Sequence, residues 1–148
     1  MAYFSPDYVK VGISSETRGI ERLLEQGARS ACIVGRFSDA DEARILEAAL
    51  CSQPGIAETM RVSLKARLLT EVPYDSGQAA SVLQREMARV AEVPEVAAAG
   101  FAPEEIKDLN AYYFQDADTE SVDANAAAGF IPGVNEMQIP DNATTECA

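Results

Sequence analysis

The sequence predicts a mixed α/β (α+β) domain, built on a small three-stranded sheet with flanking helices and followed by an acidic C-terminal extension. Short β-type runs at Ala2-Tyr3-Phe4, residues 8–14 and residues 31–35 alternate with segments whose apolar residues recur at helical spacing. The charge is divided along the chain. Residues 1–70 hold nine Lys+Arg and nine Asp+Glu, whereas residues 71–148 hold three and fifteen, so the second part carries the whole net charge of −12. These observations set residues 1–92 apart as an α/β domain with added helices, and 93–148 as an acidic, partly irregular extension.

The elements follow in order. Ser5-Pro6-Asp7 is a turn sequence in which Pro fixes φ, and it joins Ala2-Tyr3-Phe4 to a run with Val9, Val11 and Ile13 on one face, making a hairpin. Ser14 or Ser15 caps a helix over 19–25 with Ile20, Leu23 and Leu24 at helical spacing, and Gly27 ends it. Ala31-Cys32-Ile33-Val34-Gly35 reads as a third, buried strand. Acidic residues at 38–41 suit the start of a second helix, which carries Ala43, Leu46, Ala49 and Leu50 and stops before Pro54-Gly55. A third helix is expected over 61–69. A fourth spans 77–90, with its N-cap at Asp75 or Ser76 and Ala80, Leu83, Met87 and Val90 on one face. Beyond residue 93 the pattern thins to a helical turn over 103–106 and a strand over 111–114. Residues 115–148 are poor in apolar side chains and read as extended or disordered.

Composition narrows the chemistry. An apolar fraction of 47% is ample for a core. No apolar run reaches the ~18 residues that a membrane span requires, and no basic-then-apolar leader opens the chain, so a cytoplasmic location is expected. Three widely spaced cysteines do not form a disulfide framework. The chain has no histidine, which removes ordinary zinc sites and Ser-His-Asp or Cys-His catalysis. A net-acidic chain is a poor non-specific partner for nucleic acid, although the first half has cations enough for a local basic cleft. The Asn142-Ala-Thr144 glycosylation pattern has no meaning in a cytosolic protein. The first strand begins at the second residue, as in a fragment or a shortened relative.

Chemistry must therefore rest on tyrosine, lysine, arginine and carboxylates. Candidates cluster around Val9-Lys10-Val11-Gly12-Ile13-Ser14, where a strand ends at a glycine, with Arg18-Gly19 and Arg22 one element later and Glu47 inside Glu42-Ala-Arg-Ile-Leu-Glu-Ala-Ala-Leu50. Each has a plain structural reading too. Tyr3 fits as a core aromatic, Lys10 as a solvated strand residue, Arg18 and Arg22 as ion-pair partners of Glu21 and Glu25, and Cys32 and Cys51 as packing residues. An acid on the strip beside Leu46 and Leu50 is less ordinary, and Arg44 stands three residues before it.

Tyr3 on a first strand, Lys10-Val11-Gly12 on a second, Arg22 on the next helix and Glu47 on a later one resemble, in order and spacing, the GIY-YIG nuclease fold over about residues 2–70. The stretch from Val9 through Arg22-Leu-Leu-Glu-Gln-Gly-Ala28 is similar to an uncharacterised GIY-YIG-like family of actinomycetes. Lys10 occupies the position of the second motif's tyrosine, and the asparagine that often follows the glutamate helix has no counterpart.

The resemblance implies a metal-dependent phosphodiesterase or nuclease-like enzyme. In it Glu47 holds Mg²⁺ or Mn²⁺, Arg22 contacts phosphate, and Tyr3 or Tyr8 positions or activates water beside Lys10, with Gly12, Ser14 and Arg18 on the substrate. The partner is then nucleic acid or a phosphate-containing small molecule. Alternatives are a GIY-YIG-fold enzyme recruited to small-molecule chemistry, and a non-catalytic binding module. The acidic second part either solubilises the chain or lies as a pseudo-substrate over the Arg18, Arg22, Arg29 and Arg36 region. Oligomeric state is open, since an exposed edge strand permits dimerisation without requiring it.

Overall fold

The strand Ala2–Ser5 (β1) is buried along its whole length, with apolar side chains packed on both of its faces. The computed structural model describes residues 1–113 and 145–147. β1 pairs antiparallel with Tyr8–Lys10 (β2), which forms the expected hairpin, and the register shifts between Tyr3 and Ser5 as in a β-bulge. Strand Ile13–Ser15 (β3) follows. A 3-10 turn at Glu16–Arg18 and Gly19 at φ 46° then delay the first helix, α1, to Glu21–Glu25. The single helix expected over 19–25 is shortened for that reason. Gly27 ends α1 at φ 78°: its amide donates to Leu24 O at 2.9 Å and that of Ala28 to Leu23 O at 3.1 Å, a Schellman closure that needs a residue free of Cβ strain.

The strand expected over 31–35 divides in two. Ser30–Ala31 (β4) pairs with β1, and Gly35–Phe37 (β5) joins a separate ladder. Between them the amide of Cys32 donates to Met1 O at 2.8 Å, while Val34 O and Ile33 O accept from Ala102 and Glu104 at 2.8 and 2.7 Å. The 103–106 region is thus drawn out along this segment rather than forming a helical turn. Helix α2, Ala40–Cys51, is capped by Asp39, whose side chain accepts from the Asp41 amide. Strand Ile56–Ala57 (β6), helix α3 (Val62–Glu71) and helix α4 (Ser76–Ala91) come next, α4 being capped by Asp75 on the Gln78 amide. Helix α5 (Pro94–Ala98) and strand Lys107–Asp108 (β7) follow, and residues 110–113 form a 3-10 turn rather than a strand.

The mixed α+β class stands, and the sheet is larger than its three expected strands. Its order is β6-β2-β1-β4-β7, parallel at β2–β6 and antiparallel elsewhere. The two additions are two-residue edge strands, too short to leave an alternating pattern. A second sheet places Thr145–Cys147 (β8) between β3 and β5. The rest of the stretch read as extended or disordered, with Asn142, Phe114 and the pseudo-substrate idea, lies outside the described residues.

Two cores result, one on each side of the main sheet. Met1, Tyr3, Val9 and Val11 pack with Cys32, Val34 and the apolar faces of α2 and α4, and Val96 of α5 is fully buried among them. On the opposite face Ala2, Phe4 and Ala31 meet Leu24 of α1, Leu68 of α3 and Leu109. α2 approaches β5 at Gly35, where a Cβ would lie 2.8 Å from Leu46 Cδ2 and 2.7 Å from the Phe37 ring. Gly35→Ala is therefore expected to destabilise the fold by about 1–3 kcal/mol through overpacking. Urea unfolding checks this, and an unchanged midpoint would mean that Phe37 and Leu46 yield without cost.

Candidate functional site

Pleating decides which candidates meet. Lys10 stands opposite Ala2 in the β1–β2 ladder and Tyr3 opposite Val9, so Lys10 shares a face with Ala2 and Tyr3 belongs to the other. On the Lys10 face, α1 and α3 cover the Phe4 end of the sheet and leave a cleft at the Lys10 end. This cleft has a volume of about 340 Å³. Lys10, Gly12, Ser14, Arg22, Gln26, Arg44 and Glu47 supply its polar and backbone lining, and Ala2, Phe4, Val11, Ile13, Leu23 and Ala40 its apolar walls. Five of the residues singled out from the sequence therefore meet: Lys10, Gly12, Ser14, Arg22 and Glu47. Tyr3, Tyr8 and Arg18 do not line the cleft.

Tyr3 is 1% exposed on the far face, its ring edge-on to Tyr74 at 6.4 Å, and its hydroxyl has no hydrogen-bond partner among the described residues. Tyr8 is exposed at the other end of β2. Arg18 is held by Glu25, Nη2 to Oε2 at 2.5 Å, within the α1 region. Arg29 is buried: its guanidinium donates to the backbone carbonyls of Leu68 and Val72 near the end of α3 and to Asn110 Oδ1, and lies 4.9 Å over the Tyr74 ring. It closes α3 and offers nothing to a ligand.

Within the cleft the charges are uneven. Lys10, Arg22 and Arg44 line it with one carboxylate, Glu47, and the Glu58 carboxylate is near enough to act on both Lys10 and Glu47. The Lys10 ammonium has no ion pair among the described residues and makes one long contact, 3.5 Å to Val11 O. Burial, then the neighbouring Arg22, lowers its pKa, with Glu47, Cys51 and Glu58 opposing. Burial, then Glu58, raises the pKa of Glu47, with Lys10 and Arg44 opposing. Arg22 keeps a loose contact of 3.6 Å to Glu25 Oε2, whose charge is mainly engaged by Arg18. Arg44 pairs with Asp41 at 2.7 Å on the exposed rim. Behind Lys10 and Arg22, Lys65 donates to Gln26 Oε1 at 2.5 Å. Burial and Glu47 push the Cys51 thiol up to about 11, so it stays protonated.

Sequence reasoning passed over Arg44 as a functional residue. Its signal was present, since i and i+3 on a helix share a face and Glu47 lies three residues on.

Residues 1–125 match the family described as "Protein of unknown function (DUF2797)", and the chain belongs to that family. No curated protein and no solved structure matches the chain. Among the described residues, no helix is long and apolar enough to cross a membrane.

Two expectations follow for the tyrosines. Tyr3→Phe deletes a buried hydroxyl without a partner, so stability should hold or rise by about 1 kcal/mol. A loss of several kcal/mol in urea unfolding would reveal a partner for that hydroxyl. Burial also raises the phenol pKa values of Tyr3, Tyr74 and Tyr113 above the ordinary 10. The unfolded chain then releases these protons first, so their contribution to stability is full below pH ~10 and is lost as pH rises through the folded values. Phenolate absorbance and the unfolding midpoint, followed together on alkaline titration, check it: ionisation of these three phenols should coincide with loss of the fold.

Proposed function

We propose that the cleft is a phosphate-ester site and that the chain is a metal-dependent phosphodiesterase or nuclease-like enzyme of GIY-YIG-like descent. The observation that carries this reading is the convergence of Lys10, Arg22 and Arg44 around Glu47 in a protein that is otherwise strongly acidic. Three cations line one recess of a chain with net charge −12, and Lys10 among them has no ion pair among the described residues, which favours an anion as the occupant.

The chain's own groups divide the work. The Arg22 and Arg44 guanidiniums bind the non-bridging phosphate oxygens, with donors arranged to take up charge that develops there. Lys10, in the position of the second tyrosine, adds a third cation from the strand side, its pKa lowered by burial and then by Arg22. Gly12 leaves the strand end open to close approach by a ligand. Tyr3 has no chemical part, since it faces the other core.

Glu47 is the cleft's carboxylate for Mg²⁺ or Mn²⁺. A single carboxylate would hold such an ion only if water and the phosphate supplied its other ligands. Such an ion, when bound, supplies neutralisation of the leaving oxygen.

A second reading has its own observation. A recess of about 340 Å³ is the size of a small-molecule pocket, which favours a phosphate-containing small molecule over a nucleic-acid strand.

Titration calorimetry with Mg²⁺ and Mn²⁺, on the wild-type chain and on Glu47→Gln, together with hydrolysis of bis(p-nitrophenyl) phosphate, tests the enzyme reading. The expected result is metal binding and slow hydrolysis, both lost in Glu47→Gln. Arg22→Ala should weaken phosphate-ester binding about tenfold or more, the equivalent of ~1.5 kcal/mol. Phosphate-ester binding without metal binding or hydrolysis would leave a binding module.

A further inference from the structure

We propose that Lys10 is a nucleophilic amine, and that the cleft captures the carbonyl carbon of a small phosphate-bearing aldehyde or ketone as an imine. Three features of the geometry carry this. The Lys10 amine lines the cleft on the rigid end of β2, with no ion pair among the described residues to occupy it. Arg22 and Arg44 line the same recess, so a phosphate held by them leaves the remainder of a short ligand beside the amine. Glu47 lines the same recess and makes no ion pair with Lys10 among the described residues, so the recess holds a carboxylate beside an amine that it does not tie up.

Chemistry agrees with placement. A lysine becomes a nucleophile when desolvation and a neighbouring cation raise its neutral fraction, and both act on Lys10 in that order. The other two lysines are situated differently: Lys65 is engaged by Gln26, and Lys107 is exposed on the edge strand β7. The Cys51 thiol, pushed up to about 11, does not compete.

The step balances without an oxidant or reductant. The nitrogen lone pair attacks the carbonyl carbon, the π pair moves to oxygen, and a proton passes from nitrogen to that oxygen to give a carbinolamine. The nitrogen lone pair then expels the hydroxyl, which takes up a proton from solvent and leaves as water, and the resulting iminium returns its remaining N–H proton to solvent to give the imine. One imine forms for each water released. The phosphate half of the proposal rests on the anion-binding reading above, while the nucleophilic half concerns Lys10 alone.

The experiment treats the full chain with glycolaldehyde phosphate, or with glycolaldehyde, traps imines with borohydride and maps the adducts by mass spectrometry. The chain has three lysines, so Lys65 and Lys107 serve as internal references. Glycolaldehyde phosphate is expected to label Lys10 about tenfold faster than either reference, and about tenfold faster than glycolaldehyde does, with excess inorganic phosphate protecting Lys10. Lys10→Arg keeps a cation at the strand end, so circular dichroism should be unchanged while the mapped adduct disappears, which assigns that adduct to the Lys10 amine. Equal labelling of the three lysines, or no advantage for the phosphorylated aldehyde, overturns the proposal. Calorimetry with inorganic phosphate separates the two readings. Heat of binding without preferential Lys10 labelling sinks the nucleophile alone, and absence of binding sinks the anion reading with it.

Discussion

β1 is apolar on both faces and lies between two cores, and the remainder of the molecule depends on that constraint. A strand buried on both sides must alternate its side chains between two separate packing environments. Tyr3 joins Met1, Val9 and Val11 against α2 and α4, while Ala2 and Phe4 meet α1 and α3. A one-residue slip would exchange the two sets and bury Lys10 in the wrong core. The register is therefore strongly specified, and it fixes which polar groups can share a site. It sends Tyr3 away from Lys10 and leaves Lys10 on the face where the helical cover is incomplete.

Electrostatics follow from the same arrangement. The cover over the Phe4 end comes from α1 and α3, and Arg22 and Lys65 ride on these elements toward Lys10. From the other side α2 contributes Arg44 and Glu47 one helical turn apart. Glu25 is the acid in contact with Arg22, yet its contact with Arg18 is the shorter, at 2.5 Å against 3.6 Å for Arg22. Arg22 keeps its charge available because a neighbour has taken the nearest counter-charge. Arg29, equally cationic, is spent on carbonyls near the end of α3 in the opposite direction.

How much of this was legible depends on the length of the signal. α2 and α4 were readable because their apolar residues repeat over several turns and each carries an Asp cap that binds an amide of its first turn. The β1–β2 hairpin was readable from its turn. The bulge between Tyr3 and Ser5 was not, because one extra residue leaves no compositional trace, and it helps to set the face on which Phe4 packs. β6 and β7 are two residues each, below the length at which alternation means anything, and β8 pairs across more than a hundred residues of sequence. Of the site, Lys10, Gly12, Ser14, Arg22 and Glu47 were legible as a set, since each lies on an element whose order the sequence gives. Tyr3 was drawn in by motif resemblance, which carries position along the chain but not the face of the sheet.

The contrast between Tyr3 and Lys10 bears on what kind of chemistry the cleft can perform. A phenol active in phosphoryl transfer needs a proton path and a charge partner at the reacting atoms. Tyr3 has a buried hydroxyl without a partner and a pKa raised by burial, the reverse of an activated base. Lys10 has the opposite profile: access to a recess, two guanidiniums for company and a lowered pKa. With no histidine in the chain, the titratable groups that line the cleft are the Lys10 amine, its pKa lowered by burial, and the Glu47 carboxyl, its pKa raised by burial, rather than a phenol. The second-strand amine is thus the group that the fold leaves facing the cleft, and the first-strand tyrosine serves the core.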